Sequence, residues 1–343
     1  MTSVVGTLPT LTAAKFRRDT VADIQQRLDR AGEEMSTGRK SDVHAALGLR
    51  SGELLSVRSS AASNENFLTG NRLLANKMEM MATAMSGVRG TLQDFLEIAI
   101  ANRGTPGPTV QQVAQSARAA YDQVVSQLNV TYQGAHLFSG TESGRVPLQS
   151  WGQADADTNL APRDVLAGIV APGLVDAADA STKLGEVAQV FSSTTGGPED
   201  FEASFFNGTP LLDGGGDPSP RLTARIDEAT VMTYGVQAND PPFARALQGL
   251  AMLASVDPAT VSDAGAYEIW VDAAIEGVLT GIDGIRDAET LLGTQQRTLD
   301  ETITRQEDRG DVYERHIGVL EGVDAYEAAT RVTQLSTQLE AAY

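Results

Sequence analysis

LLSVRSSAASNENFLTGNRLLANKMEMMATAMSGVRGTLQDFLEIA, residues Leu54–Ala99, keeps one apolar phase for its whole length. Leu54, Val57, Ala61, Leu68, Ala75, Met78, Ala82, Met85, Leu92, Leu96 and Ala99 fall at alternating three- and four-residue steps, with polar Asn64, Asn71 and Arg89 in the remaining positions of the stripe. Such alternation is the a/d seam of helices that pack side by side. Gly70, Gly87 and Gly90 each weaken a helix by about 1 kcal/mol relative to Ala, yet the phase survives them. A helix from Glu53 to Asn102 would be roughly 75 Å long at 1.5 Å per residue, against about 50 Å for a compact globule of this chain length. The stretch predicts a rod.

On its C-terminal side the run GTPGP at Gly104–Pro108 stops the helix, and Thr109 followed by Gln112 reads as a capping box for the next one. Val110, Val113, Ala117, Ala120, Val124, Leu128 and Thr131 continue at heptad spacing, so the second helix folds back antiparallel on the first. On the N-terminal side Val21, Ile24, Leu28, Ala31 and Met35 form a further a/d stripe. The C-terminal end mirrors this: Ile285, Leu292, Leu299 and Ile303 share one face, and after Gly322 a new start at Asp324, with Glu327 in the capping-box position, leads to Ala328, Val332, Leu335, Leu339 and Ala342. Isolated short helices are marginal in water, and burying a Leu or Ile side chain is worth about 1.5–3 kcal/mol, so each terminal stripe needs a partner.

These patterns predict a mainly α fold with a small β-containing insert: an elongated rod of long antiparallel coiled-coil helices formed by the N- and C-terminal segments. Residues 1–40 and 305–343 are expected as terminal assembly segments, 41–145 and 235–304 as a helical rod domain, and 146–234 as an acidic, Gly- and Pro-rich outer insert. Val21, Ile24, Leu28, Ala31 and Met35 are expected to meet Val332, Leu335 and Leu339. The Leu54–Ala99 seam is expected to pack on Val110–Leu128 and Ile285–Ile303. Within the insert, Glu186–Ser192 (EVAQVFS) and Thr230–Gln237 (TVMTYGVQ) read as strands because of their β-branched and aromatic content.

The 343 residues carry 26 Lys and Arg against 45 Asp and Glu, a net charge of −19 and the wrong sign for neutralising phosphates. Nucleic acid is therefore excluded as an expected partner. Residues 1–140 balance at +2, 141–280 at −14 and 281–343 at −7, so the acidity sits in the middle. No cysteine is present, which rules out a disulfide scaffold and a zinc ribbon. No run approaches the ~18 apolar residues of a membrane helix, and the N-terminus lacks the apolar stretch of a cleaved secretory signal.

Catalytic chemistry finds little support. His44, His136 and His316 stand alone, and Asp155, Asp157 and Asn159 imitate a calcium loop whose required Gly and Glu are replaced by Leu160 and Leu166. GxxxxGK[ST], GxSxG and HExxH are all missing. Gly214–Gly216 lacks the following helix that phosphate binding requires and reads as a turn. The sequons at Asn129 and Asn207 carry no weight at this length. No catalytic residue, metal or cofactor is expected.

Particular residues then add to the periodicity. LDRAGEEMSTGRKSDVHAALG, Leu28–Gly48, resembles the flagellin superfamily signature in which a heptad helix ends at a Ser/Thr-Gly-basic turn. NVTYQGAHLFSGTES, Asn129–Ser143, resembles the motif of the superfamily's hook-filament junction branch, the hook-associated proteins 3, with His136 where an aromatic is commoner. TYGVQANDPPFARALQGLAMLA, Thr233–Ala254, is similar to that branch's tyrosine-glycine turn before a helix, and GVDAYEAATRVTQLSTQLEAAY, Gly322–Tyr343, to its closing segment.

The resemblance implies an extracellular structural protein of the bacterial flagellum, exported through the flagellum's own secretion apparatus without a cleaved leader. Its implied partners are further copies of itself in a ring, the hook-side junction protein, flagellin and an export chaperone that binds the C-terminal helix. Neither nucleic acid nor a membrane is implied. The rival within the same class is flagellin itself. From another class, a secreted coiled-coil adhesin or enzyme would carry its activity in the insert.

Overall fold

The computed structural model describes residues 8–103 and 108–342. In chain order the elements are α1 (Leu8–Thr37), α2 (Val43–Leu47), α3 (Ser51–Ala101), α4 (Pro108–Leu128), β1 (Thr131–Tyr132), β2 (Ala135–His136), α5 (Pro162–Val170), α6 (Ala177–Phe191), β3 (Thr223–Arg225), β4 (Val231–Thr233), α7 (Pro241–Ala254), α8 (Ala264–Glu321) and α9 (Ala325–Ala342). The chain is mainly helical, and β1–β2 and β3–β4 are separate two-stranded antiparallel ladders. Helix α3 runs unbroken for 51 residues through Gly70, Gly87 and Gly90, and α8 for 58.

Two compact units emerge, Met1–Thr69 with Thr304–Tyr343, and Gly70–Ile303. Helices α3 and α8 contribute to both. In the Gly70–Ile303 unit, Arg89 pairs with Glu289 and Arg103 with Asp272, so the two helices run antiparallel there. Helix α4 folds back on α3 as expected, with Thr91 hydrogen-bonded to Gln127. The seam polar residues find specific partners: Asn71 donates to the Ile226 carbonyl at 2.8 Å, and in the terminal unit Asn64 donates to that of Gln306 at 2.7 Å. The expected stop at Gly104–Pro108 lies outside the described residues except for Pro108. Helix α4 begins at Pro108, so Thr109 stands inside its first turn rather than on its cap.

The core of the Gly70–Ile303 unit is one apolar cluster. Met78, Met85 and Leu92 of α3, Val124 and Leu128 of α4, Leu247 of α7, and Trp270 and Ile285 of α8 are all fully buried in it. Residues from the 146–234 segment, among them Leu166, Val187, Phe201 and Phe205, belong to the same cluster. Helices α7 and α8 approach closely because glycines line their contact. A Cβ on Gly281 would lie 2.7 Å from that of Ala246, and one on Gly249 would collide with the Ala274 carbonyl.

The insert carries two helices and one short ladder. Of the strand expected at 230–237 only Val231–Thr233 forms, as β4 paired with β3. The strand expected at 186–192 does not form, because Glu186–Phe191 is the last part of α6. Asp176 caps that helix, accepting from the amides of Ala178 and Asp179, while Ala180, Val187, Val190 and Phe191 are buried at helical spacing. The cap and the 3.6-residue period of the whole segment override the β-branched content of its end.

Candidate assembly surfaces

The terminal helices α1 and α9 pack antiparallel in the terminal unit, as shown by Arg331 meeting Glu34 at 3.1 Å while Arg39 bridges to Gly322. Asp324 starts α9 as its spacing suggested, its carboxylate accepting from the amides of Tyr326 and Glu327. Ala31 and Ala328 are fully buried between the helices. Val21, Ile24, Leu28, Val332, Leu335 and Leu339 are only half-buried. Met35 is 47% exposed, and the inward position beside it is taken by Glu34, whose side chain is 12% exposed and held by Arg331.

Of the rod-seam residues, Leu54, Leu68, Met78, Met85, Leu92, Leu96, Val113, Val124, Leu128, Ile285, Leu292 and Leu299 are buried. Val57 is half-buried.

The turn Ser36–Lys40, noted in the sequence only as a basic turn, closes onto the end of α8. Glu321 has a side chain only 3% exposed, and Arg58 grips it through Nη2 at 2.6 Å and Nε at 2.9 Å. Arg39 stands 3.8 Å away. Lys40 donates from its amide to the Glu321 carbonyl and from Nζ to that of Leu320, both at 2.8 Å, and the Val323 amide donates to the Gly38 carbonyl. Cations and donors thus converge on the negative end of a long helix, where the unpaired carbonyls need them. Gly38 turns the chain with φ +68°, a conformation that favours glycine. The Ser/Thr-Gly-basic pattern could have signalled this cap; the distant Glu321 could not be paired with it by spacing.

Nearby, His316 contacts Glu53 at 3.1 Å. The hydrogen bond from Arg50, then that from His316, hold the Glu53 carboxyl below its ordinary range. Beside α1 and α9 lies an open groove of about 510 Å³ whose lining mixes Ala31, Ala45, Ala46 and Leu335 with Arg27, Arg30 and Arg331 and with Glu34 and Asp42.

In the other unit, the Asn129–Ser143 motif forms a latch. Gln133 and Gly134, both at positive φ, turn β1 into β2, and Leu137 and Phe138 follow into the core. Asn129 both donates to the Leu148 carbonyl and accepts from its amide, while His136 Nδ1 contacts the Asn129 carbonyl at 2.9 Å. Thr209, of the second sequon, accepts from the Thr141 amide, and the Ala238 amide donates to the Phe138 carbonyl. Both sequon stretches are therefore engaged in the fold, and Asn207 itself donates to Asp155.

Asp155 is held by the loop that follows it. Its Oδ1 accepts from the amides of Asp157 and Thr158, and its Oδ2 from Gln149. Burial pushes its carboxyl up, but those amides and the Asn207 and Gln149 side chains outweigh it and hold the group below its ordinary range. The glycine run forms a turn whose amides at Gly215 and Asp217 are taken by the Asp213 carboxylate. Among the described residues no group of three or more His, Asp or Glu stands placed to hold a metal ion. No helix among them is long and apolar enough to cross a membrane.

A mainly helical chain whose two ends pack on each other, with its middle folded between two long helices, has the architecture of a flagellar structural subunit. The comparisons with known proteins agree. The N-terminal helical region of bacterial flagellin matches residues 9–143 and its C-terminal helical region residues 273–343, together more than half of the chain. The chain belongs to the bacterial flagellin family and is a structural component of the flagellum.

A solved structure described as a flagellar hook-associated protein from Vibrio parahaemolyticus shares the fold, with a TM-score of 0.51 at 13% identity, over 79% of this chain and 97% of that one. FlgL from Bacillus cereus aligns with a TM-score of 0.47 at 10% identity, over 77% of this chain and 98% of that one. No curated protein matches the chain.

Proposed function

We propose that this chain is the adaptor at the hook-filament junction, on which the flagellin filament assembles. The observation that carries the reading is the half-open terminal pair. Val21, Ile24 and Leu28 against Val332, Leu335 and Leu339 remain partly exposed after α1 and α9 have packed, so further copies or neighbouring components must complete their burial. The Asn129–Ser143 motif and the closing segment favour the junction over the filament. The fold shared with a hook-associated protein agrees with that choice.

In this reading the protein is a mechanical, non-enzymatic adaptor. It contacts copies of itself in a ring, the hook-side junction protein and flagellin, and it is exported by the flagellar apparatus with a chaperone on its C-terminal helix. Flagellin itself is the second reading, kept because the same terminal pairing serves a filament.

Deleting the gene, imaging the cells and assaying the medium for flagellin separates the two. Hooks without filaments, together with free flagellin in the medium, are the expected result. Hooks with no flagellin anywhere would make the chain the filament subunit, and intact filaments would exclude both readings. Leu335→Asp places a charge on the terminal stripe and is expected to abolish incorporation into flagella; normal incorporation would sink the role given to that stripe.

A further inference from the structure

We propose that a cavity in the Gly70–Ile303 unit binds a small zwitterion with an apolar body, of the class of the apolar amino acids, its ammonium against Glu202 and its carboxylate against Arg245. The cavity measures about 490 Å³ and lies between the end of α6, the π-helical turn Phe201–Phe205, Leu211–Leu212 and the start of α7. Small-molecule sites usually enclose roughly 300–1,000 Å³. Phe191, Phe201, Leu211 and Leu212 give it an apolar wall, and Leu212 remains exposed there.

Among the described residues of the lining the only charged side chains are Glu202 and Arg245, one of each sign, and they do not pair with each other. The Glu202 carboxylate has no cation beside it. Its donors are uncharged, the Leu211 amide at 2.8 Å and Asn239 Nδ2 at 2.6 Å, and both go to Oε1. Asn239 is 2% exposed; its Nδ2 also donates to the Thr209 carbonyl, and its Oδ1 has no hydrogen-bond partner among the described residues. Arg245, exposed at the rim, donates through Nη1 to Gln248 Oε1 at 3.0 Å and forms no ion pair among the described residues. The adjoining hollow that shares Arg245 and Gln248 holds Glu276, which does not pair with it either.

A half-buried carboxylate without a cation is costly, and a buried amide oxygen without a donor is rare. Both demands stand together at Glu202 and Asn239, and a protonated amine meets them with its hydrogens. An amine alone leaves Arg245 unanswered, and an anion alone faces the Glu202 carboxylate. A molecule carrying both charges answers both, and the wall of aromatic and leucine side chains covers its apolar body. The carboxylate is also held in place from behind, because the Glu202 amide donates to Ser193 Oγ at 3.0 Å.

The test uses the full chain and three probes that differ only in charge: L-phenylalanine, phenethylamine and 3-phenylpropionate, titrated by ligand-observed NMR. L-Phenylalanine is expected to bind about tenfold more tightly than either half-charged analogue. Arg245→Gln should remove its advantage over phenethylamine, and Glu202→Gln, which keeps the Oε1 acceptor, its advantage over 3-phenylpropionate. Ala188→Phe, an exposed lining position of α6 that touches neither charge, should abolish binding by filling the space and keeps the test open should Glu202→Gln fail to fold. Equal affinity for the three probes would mean an apolar hollow that reads no charge, and would overturn the proposal. So would binding of L-phenylalanine that survives Ala188→Phe, or no binding of any probe at millimolar concentration.

Discussion

The terminal unit and the Gly70–Ile303 unit share the same two long helices, yet they satisfy their apolar residues differently. In the larger unit one cluster takes in the interior of α3, α4, α7 and α8 together with the aromatic side chains Phe191, Phe201 and Phe205, whose rings stack at 5.2–5.5 Å. In the terminal unit α1 and α9 fully bury little more than Ala31 and Ala328 between them, and an ionic clasp at Glu321 supplies the anchor. One unit is complete within a single chain. The other leaves its terminal stripes half-buried, and stability and function are therefore expected to respond to different residues.

The largest expected effect lies in the complete unit. Phe138→Ala empties a fully buried aromatic site in the latch and is expected to cost about 4 kcal/mol, read as a drop in the denaturant midpoint. A loss below 1 kcal/mol would mean that the latch is not part of the cooperative core.

Asp155→Ala leaves the amides of Asp157 and Thr158 and the Gln149 side chain without their acceptor, at an expected cost of about 3 kcal/mol. The same residue sets a pH dependence. Its folded carboxyl lies below the unfolded value, so its contribution is in place above the ordinary carboxylate range and is lost as the pH falls through the lower folded value. Thermal unfolding followed from pH 7 downward should show that acid loss in the wild type, and a weaker one in Asp155→Ala.

In the terminal unit, Glu321→Ala removes the clasp. Arg58 and Arg39 remain partly solvated, so the expected cost is nearer 2 kcal/mol, and it should appear as faster amide exchange in α1 and α9 with α4 and α7 unchanged. Faster exchange throughout the chain would erase the distinction between the units. The smallest effect is a gain. The Tyr121 hydroxyl is buried with no hydrogen-bond partner among the described residues, its ring packs beside Trp151, and burial drives its ionisation far upward. Tyr121→Phe is expected to stabilise by about 1 kcal/mol; destabilisation would show that a bound water serves the hydroxyl.

Much of the fold was legible because long helices write their packing into spacing. The Leu54–Ala99 phase holds from Leu54 to Ala99, and its intruding polar residues Asn64, Asn71 and Arg89 each have a partner on a facing segment. Local composition misled at Glu186–Ser192, where the deciding signal was Asp176, ten residues upstream. The glycines at Gly249 and Gly281 were visible but unread, since close helix contact needs both partners known. The clasp was the least legible feature, because the acid lies far along the chain from the Gly38–Lys40 turn that receives it.

That separation gives the clasp a meaning in time as well as in space. The Gly38–Lys40 turn has nothing to close upon until residues 320–323 exist and are free to reach it. A polypeptide emerging end-first, or one cut short before Glu321, carries an N-terminal helix with no counterpart and no lock. Closure of the joint thus waits for a chain that reaches Val323.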